Sequence, residues 1–139
     1  MFEKYNLLEL VFAITGSFLF VSYSVALFKS YKYVKNNLSS ICKLFFGDPF
    51  YYKKLDWSNH FLIEMAVGAV AALKFRELKV LKRAKIFSKG HLPLAPNLDD
   101  TNIHLLIENH GDWYKSVVSN LLISSICMVV LASIYFVLK

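Results

Sequence analysis

The sequence predicts an all-α membrane protein in which two transmembrane helices flank a basic, helical cytoplasmic domain. Three observations lead to this expectation. Residues 10–28 and 116–138 contain no charged side chain. As helices they would measure about 28 and 34 Å, enough to cross a bilayer core, the second with some tilt. The hydrophobic fraction is 56% and the mean hydropathy +0.44, with the apolar excess gathered in those two runs. Finally, Glu3, Lys4, Glu9 and Lys139 cancel one another, so the whole net charge of +6 lies between the runs.

The first span is expected over residues 7–28. It does not read as a secretory signal, because its start holds an acid as well as a base and its apolar core exceeds the usual signal length. Val34, Leu38, Ile41 and Phe45 continue an i, i+3/i+4 stripe, which predicts an amphipathic extension to about residue 46. Gly47 should end it. Asp48-Pro49 then resembles an N-cap followed by a first-turn proline, predicting a short helix through Leu55.

Residues 47–112 form the expected helical cytoplasmic domain, with a linker at 88–99 containing Pro93 and Pro96. One long helix is expected from Ser58 to Phe87, apolar at its start and basic at its end. Residues 61–73 are apolar except for Glu64, but at about 20 Å they suit a buried or interfacial helix better than a third crossing. Asp99, Asp100 and Thr101 offer caps for the next helix, Gly111-Asp112 a kink, and residues 113–138 the second span.

Charge sets the expected orientation. Lys29, Lys32 and Lys35 follow the first span, whereas Lys4 alone precedes it, so the loop 29–115 is expected in the cytoplasm with both ends across the membrane. Tyr51, Tyr52, Trp57, Trp113 and Tyr114 are candidate membrane-interface residues, since such rings need an apolar bed and a wet edge. The aromatics around Pro49 could equally form a small core beneath the bundle.

Lys74, Arg76, Lys79, Lys82, Arg83 and Lys85 make the candidate binding surface. A basic amphipathic stretch beside a membrane suits anionic lipid or an acidic protein partner. Nucleic acid is not expected, because no reading motif accompanies the charge. Ala13, Gly16, Ser17 and Ser24 in the first span, with Asn120, Ser124, Ser125, Ala132 and Ser133 in the second, permit close helix approach. The spans are therefore expected to pack on each other or on another subunit, including a second copy.

No catalytic residue, cofactor or metal is expected. Nucleophile-elbow, phosphate-loop, zinc-protease and Cys-x-x-Cys motifs are all missing. His60/Glu64 and His104/Glu108 could bring two imidazoles and two carboxylates to one metal, but bundle sites favour Glu-x-x-His spacing with further carboxylates. Otherwise they are surface or interhelical hydrogen-bonding pairs. Cys42 adjoins Lys43, which favours a thiolate, although its aromatic surroundings suit a packing role. Cys127 lies within the second span and no disulfide framework is implied.

Asp48, Pro49, Tyr52 and Asp56, together with the order span, amphipathic extension, central segment, span, resemble universal stress protein B. The resemblance implies a stress-linked protein of the bacterial inner membrane without known chemistry. The basic helix and the proline linker depart from that pattern. The expectation is thus a non-enzymatic interaction or assembly protein; a membrane immunity protein against a toxin, or an accessory subunit of a larger complex, are the alternatives.

Overall fold

A computed structural model describes residues 2–79, 90 and 92–138, with side chains described for 7–75, 90 and 92–138. Among the described residues four helices follow in order, α1 (Phe2–Asn36), α2 (Leu38–Phe46), α3 (Trp57–Lys79) and α4 (Asp100–Leu138), and there is no strand. Two of them, α1 and α4, are long and apolar enough to cross a membrane. They run antiparallel: Ser30 of α1 lies beside Trp113 of α4, while Gly16 and Leu131 line one gap farther along.

The core sits at one end of this hairpin. Val34 of α1, Ile41 and Phe45 of α2, Ile63 and Val67 of α3, Leu98 of the returning loop, and Ile103 and Leu106 of α4 are all fully or almost fully buried. In the most apolar window of α1 nothing is buried, and in that of α4 almost nothing is. Burial therefore separates a packed head from two bare shafts.

Local chemistry explains where each helix stops. The expected continuous extension to residue 46 is interrupted at Asn37, whose φ of −118° and ψ of 18° are not helical. Its Nδ2 donates to the Tyr33 carbonyl at 2.9 Å, so the side chain takes over an acceptor of the α1 end. α2 then places Ile41, Cys42, Leu44 and Phe45 inward.

Gly47 closes α2 in the left-handed region, φ 80°, with its N–H on the Lys43 carbonyl. The short helix expected from Asp48-Pro49 is not formed. Asp48 Oδ1 instead accepts from Phe50 N at 2.8 Å, and Tyr51 N donates to the Asp48 carbonyl, giving a turn that passes into bends.

Two aspartates start the later helices. Asp56 Oδ1 accepts from Asn59 N at 2.7 Å before α3, and Asp99 Oδ1 accepts from Asn102 N at 2.8 Å before α4. α3 is described as far as Lys79; its expected continuation to Phe87 lies outside the described residues. α4 bends at His110, one residue before the expected Gly111-Asp112 site.

Asn97 ties the returning loop to the head. Its backbone N donates to the Phe45 carbonyl and its Nδ2 to those of Lys43 and Leu44, satisfying three carbonyls at the end of α2. A Cβ on Gly47 would stand 3.4 Å from the Asn97 side chain, on a backbone conformation that L residues rarely adopt. Replacing Gly47 by Ala should therefore cost about 1–2 kcal/mol in thermal or denaturant unfolding in detergent. Gly16→Ala, whose new Cβ would meet nothing, should not lower stability.

Candidate functional site

Where α1, α3 and α4 meet at the base of the shafts, apolar packing gives way to polar contacts. Ser30 of α1 is 7% exposed and stands at the centre. Trp113 Nε1 of α4 donates to its Oγ at 3.0 Å, and His60 Nε2 of α3 shares a hydrogen bond with the same oxygen at 3.1 Å. Glu64 Oε1 lies 3.5 Å from His60 Nε2, so the carboxylate is presented to the same cluster. One hydroxyl thus joins three helices.

Helical spacing explains the convergence. His60 and Glu64 are one turn apart and face inward together, and both are buried. Tyr23 of α1, two turns beyond Ser30, lies within electrostatic reach of Glu64. Burial holds the His60 imidazole below its ordinary value, because a charged ring there would lose its water.

A second cluster lies toward the head. Tyr33 Oη is 2.8 Å from His110 Nδ1, and Ser40 Oγ is 2.9 Å from His110 Nε2. A neutral imidazole has one donor and one acceptor nitrogen, so one hydroxyl must donate while the other accepts. This satisfies the ring at the bend of α4 and locks α1, α2 and α4 together. Tyr33 also stacks on Trp113, 5.7 Å between centroids, bringing the two clusters side by side.

The expected site residues fall in different places. Trp57 is half exposed and stacks on Tyr31 at 4.3 Å, while the Tyr31 hydroxyl donates to the Leu55 carbonyl. Tyr51 is exposed and stacks on Phe46, with Tyr52 edge-on to both. Exposed rings thus rest on a small aromatic layer. Trp113 is buried with its polar edge directed at Ser30, and Tyr114 is half-buried against the core.

Of the candidate bases, Lys74 is half-buried on α3. Arg76 and Lys79 belong to the same helix, with side chains outside the described residues, and Lys82, Arg83 and Lys85 lie wholly outside them. The two His/Glu pairs do not converge. His104/Glu108 is an exposed pair at 3.8 Å, and among the described residues no group of three or more His, Cys, Asp or Glu is placed to hold a metal. Cys42 is fully buried and its thiol is pushed above the ordinary range by that burial, which favours the thiol over the thiolate.

Below the polar clusters the spans part. A gap of about 750 Å³ lies between Gly16, Leu19, Phe20 and Tyr23 on α1 and Leu121, Ser124, Ser125, Met128 and Leu131 on α4. Ser125 and Ser133 return their hydroxyls to carbonyls four residues earlier. Ser124 Oγ, by contrast, is a buried polar atom without a hydrogen-bond partner among the described residues. No protein-family profile, curated protein or solved structure matches this chain.

Ser30, Tyr33, Ser40 and His110 escape a motif search because no two of them share a diagnostic spacing. The available signal was Ser30 and Tyr33 at i, i+3 just past the first apolar run. Replacing Ser30 by Ala leaves Trp113 Nε1–H buried without its acceptor and should destabilise the detergent-solubilised protein by about 1–3 kcal/mol. Because the folded His60 value is depressed, its contribution is present above the ordinary imidazole value of 6.5 and lost as pH falls below it. Unfolding measured from pH 7.5 to 5 should show a shallower acid-side loss in His60→Gln than in the parent, with His110 common to both.

Proposed function

We propose that this is a non-enzymatic membrane interaction protein, an assembly component whose inter-span gap receives a transmembrane helix of another subunit or a second copy. The observation that carries this reading is the apolar gap between the long helices, whose wall holds the buried, unpartnered hydroxyl of Ser124. A buried hydroxyl without a partner costs free energy, and rotation about its χ1 would turn it to a backbone carbonyl or side chain of an adjoining helix. Gly16, with open space at its Cβ position, lets such a helix approach closely.

The bare shafts support the same reading. Phe20, Val21, Leu122, Val129 and Phe136 are all more than half exposed. Surfaces of this kind belong against lipid or other membrane helices. The reading places the chain in the bacterial inner membrane with its head in the cytoplasm. There the basic stretch from Lys74 to Lys85 would meet anionic headgroups, at about 1 kcal/mol per base near the surface. A stress-linked role would accord with the resemblance noted for Asp48, Pro49, Tyr52 and Asp56.

The test is site-directed photo-crosslinking in native membranes, with benzoylphenylalanine replacing Leu131 in the gap. A discrete protein adduct, homomeric or heteromeric, is expected, and it should weaken when Ser124→Ala is added. Adducts with lipid alone would remove the partner helix from the account.

A further inference from the structure

We propose that His60 and Glu64 form a one-proton site at the three-helix joint, seating α3 against α1 and α4 most firmly when the pair carries a single proton between its two side chains. The ligand of this site is the proton itself. The proposal is independent of the partner-helix reading.

Isolation of the pair supplies the first argument. Glu64 is the only buried acid among the described residues, and the ion-pair partner it meets is His60, one turn away on the same helix and also buried. From α1 the pair is faced by Ser30 Oγ and the Tyr31 ring, with Tyr23 within electrostatic reach of Glu64. From α4 it is faced by Trp113, whose Nε1 donates to Ser30, and on α3 itself by the Trp57 ring. All of these are uncharged side chains. The pair must therefore balance its own charge.

Proton count decides that balance. Without a proton, a carboxylate is buried beside a neutral ring; with two, an imidazolium is buried beside a neutral carboxyl. Either leaves net charge in the joint, which is costly away from water. One proton makes the pair neutral whichever atom holds it. His60 Nε2 stands 3.1 Å from Ser30 Oγ and 3.5 Å from Glu64 Oε1, so a proton on that nitrogen faces both oxygens. Moving it to Oε1 breaks the N–H bond and makes an O–H bond without changing the count.

The pH dependence of the joint follows. Burial lowers His60 and raises Glu64, the Ser30 hydroxyl partly opposing the second shift, and the two groups titrate as a unit. Released from the joint, they return to their ordinary values of 6.5 and 4.5. Between those values the released pair also holds one proton, on His60. Opening then exchanges no net proton with solvent, and pH has no leverage on it. The His60 contribution is lost as pH falls below 6.5, the Glu64 contribution as pH rises above 4.5, and the two slopes offset. A buried histidine alone would release α3 in acid; a buried glutamate alone would release it in base.

Hydrogen exchange of the α3 amides around residue 60, measured by mass spectrometry on the full-length protein in detergent and corrected for intrinsic rates, tests the site. In the unaltered protein the opening constant should be level between pH 4.5 and 6.5. In Glu64→Gln it should rise as pH falls below 6.5, by up to about tenfold per pH unit, and in His60→Gln it should rise as pH climbs above 4.5. His110 is common to all three. Variants that keep the level profile, or that slope in the same direction, would overturn the proposal. The unaltered protein gives a second count at pH 5.5, from the nitrogen spectrum of the His60 ring and the carbon spectrum of the Glu64 carboxyl. One proton on the pair is expected; none or two would overturn it.

Discussion

One hydroxyl, that of Ser30, must serve three helices at once, and the remainder of the architecture is arranged around that requirement. Within a bilayer, apolar helix faces gain little by choosing one another over lipid tails, so the hydrophobic effect alone does not hold spans together. The Trp113 and His60 contacts to Ser30 provide directional bonds where the packed head gives way to the bare shafts. They are also expensive to leave unmade, since an indole N–H and an imidazole buried there have no water to turn to. Loss of the central oxygen affects α1, α3 and α4 together.

Above that level, ordinary packing takes over. The head contains apolar residues from every helix and from the returning loop, and its helix ends are closed by local polar groups: Asn37, Gly47, Asp56, Asn97 and Asp99. His110 links the two regimes. Satisfied on both ring nitrogens, it allows α4 to bend without leaving a buried donor or acceptor, so the first turns of the helix pack on α2 while the rest runs along α1. The clusters are complementary in location, one fastening α2 to the spans and the other fastening α3.

The two long apolar helices, the stop at Gly47 and the capping role of Asp99 were legible because each depends on local chemistry: an uncharged run, a left-handed residue, a short acidic side chain before a helix. The interruption at Asn37 was not, because the apolar stripe from Val34 to Phe45 passes across it without a change of period. Asp48-Pro49 misled for a related reason. An aspartate that caps a helix and one that closes an Asx turn make the same first hydrogen bond, and only the residues beyond decide between them. The polar clusters were the least legible. His60/Glu64 and His104/Glu108 have identical spacing, yet one pair is buried and the other exposed, since what distinguishes them is the neighbouring helix rather than their own. The partner of Trp113, Ser30, lies some eighty positions away in the chain and is not marked by any local spacing.

The placement of these bonds at one end of the hairpin also has a mechanical result. Each long helix extends about 40 Å beyond the level of Ser30, so a change in tilt of about 5° would displace its tip by about 3.5 Å. Thicker or thinner bilayers favour different tilts at small energetic cost. If the two helices lie in a bilayer, the opening between them would widen or narrow with its thickness.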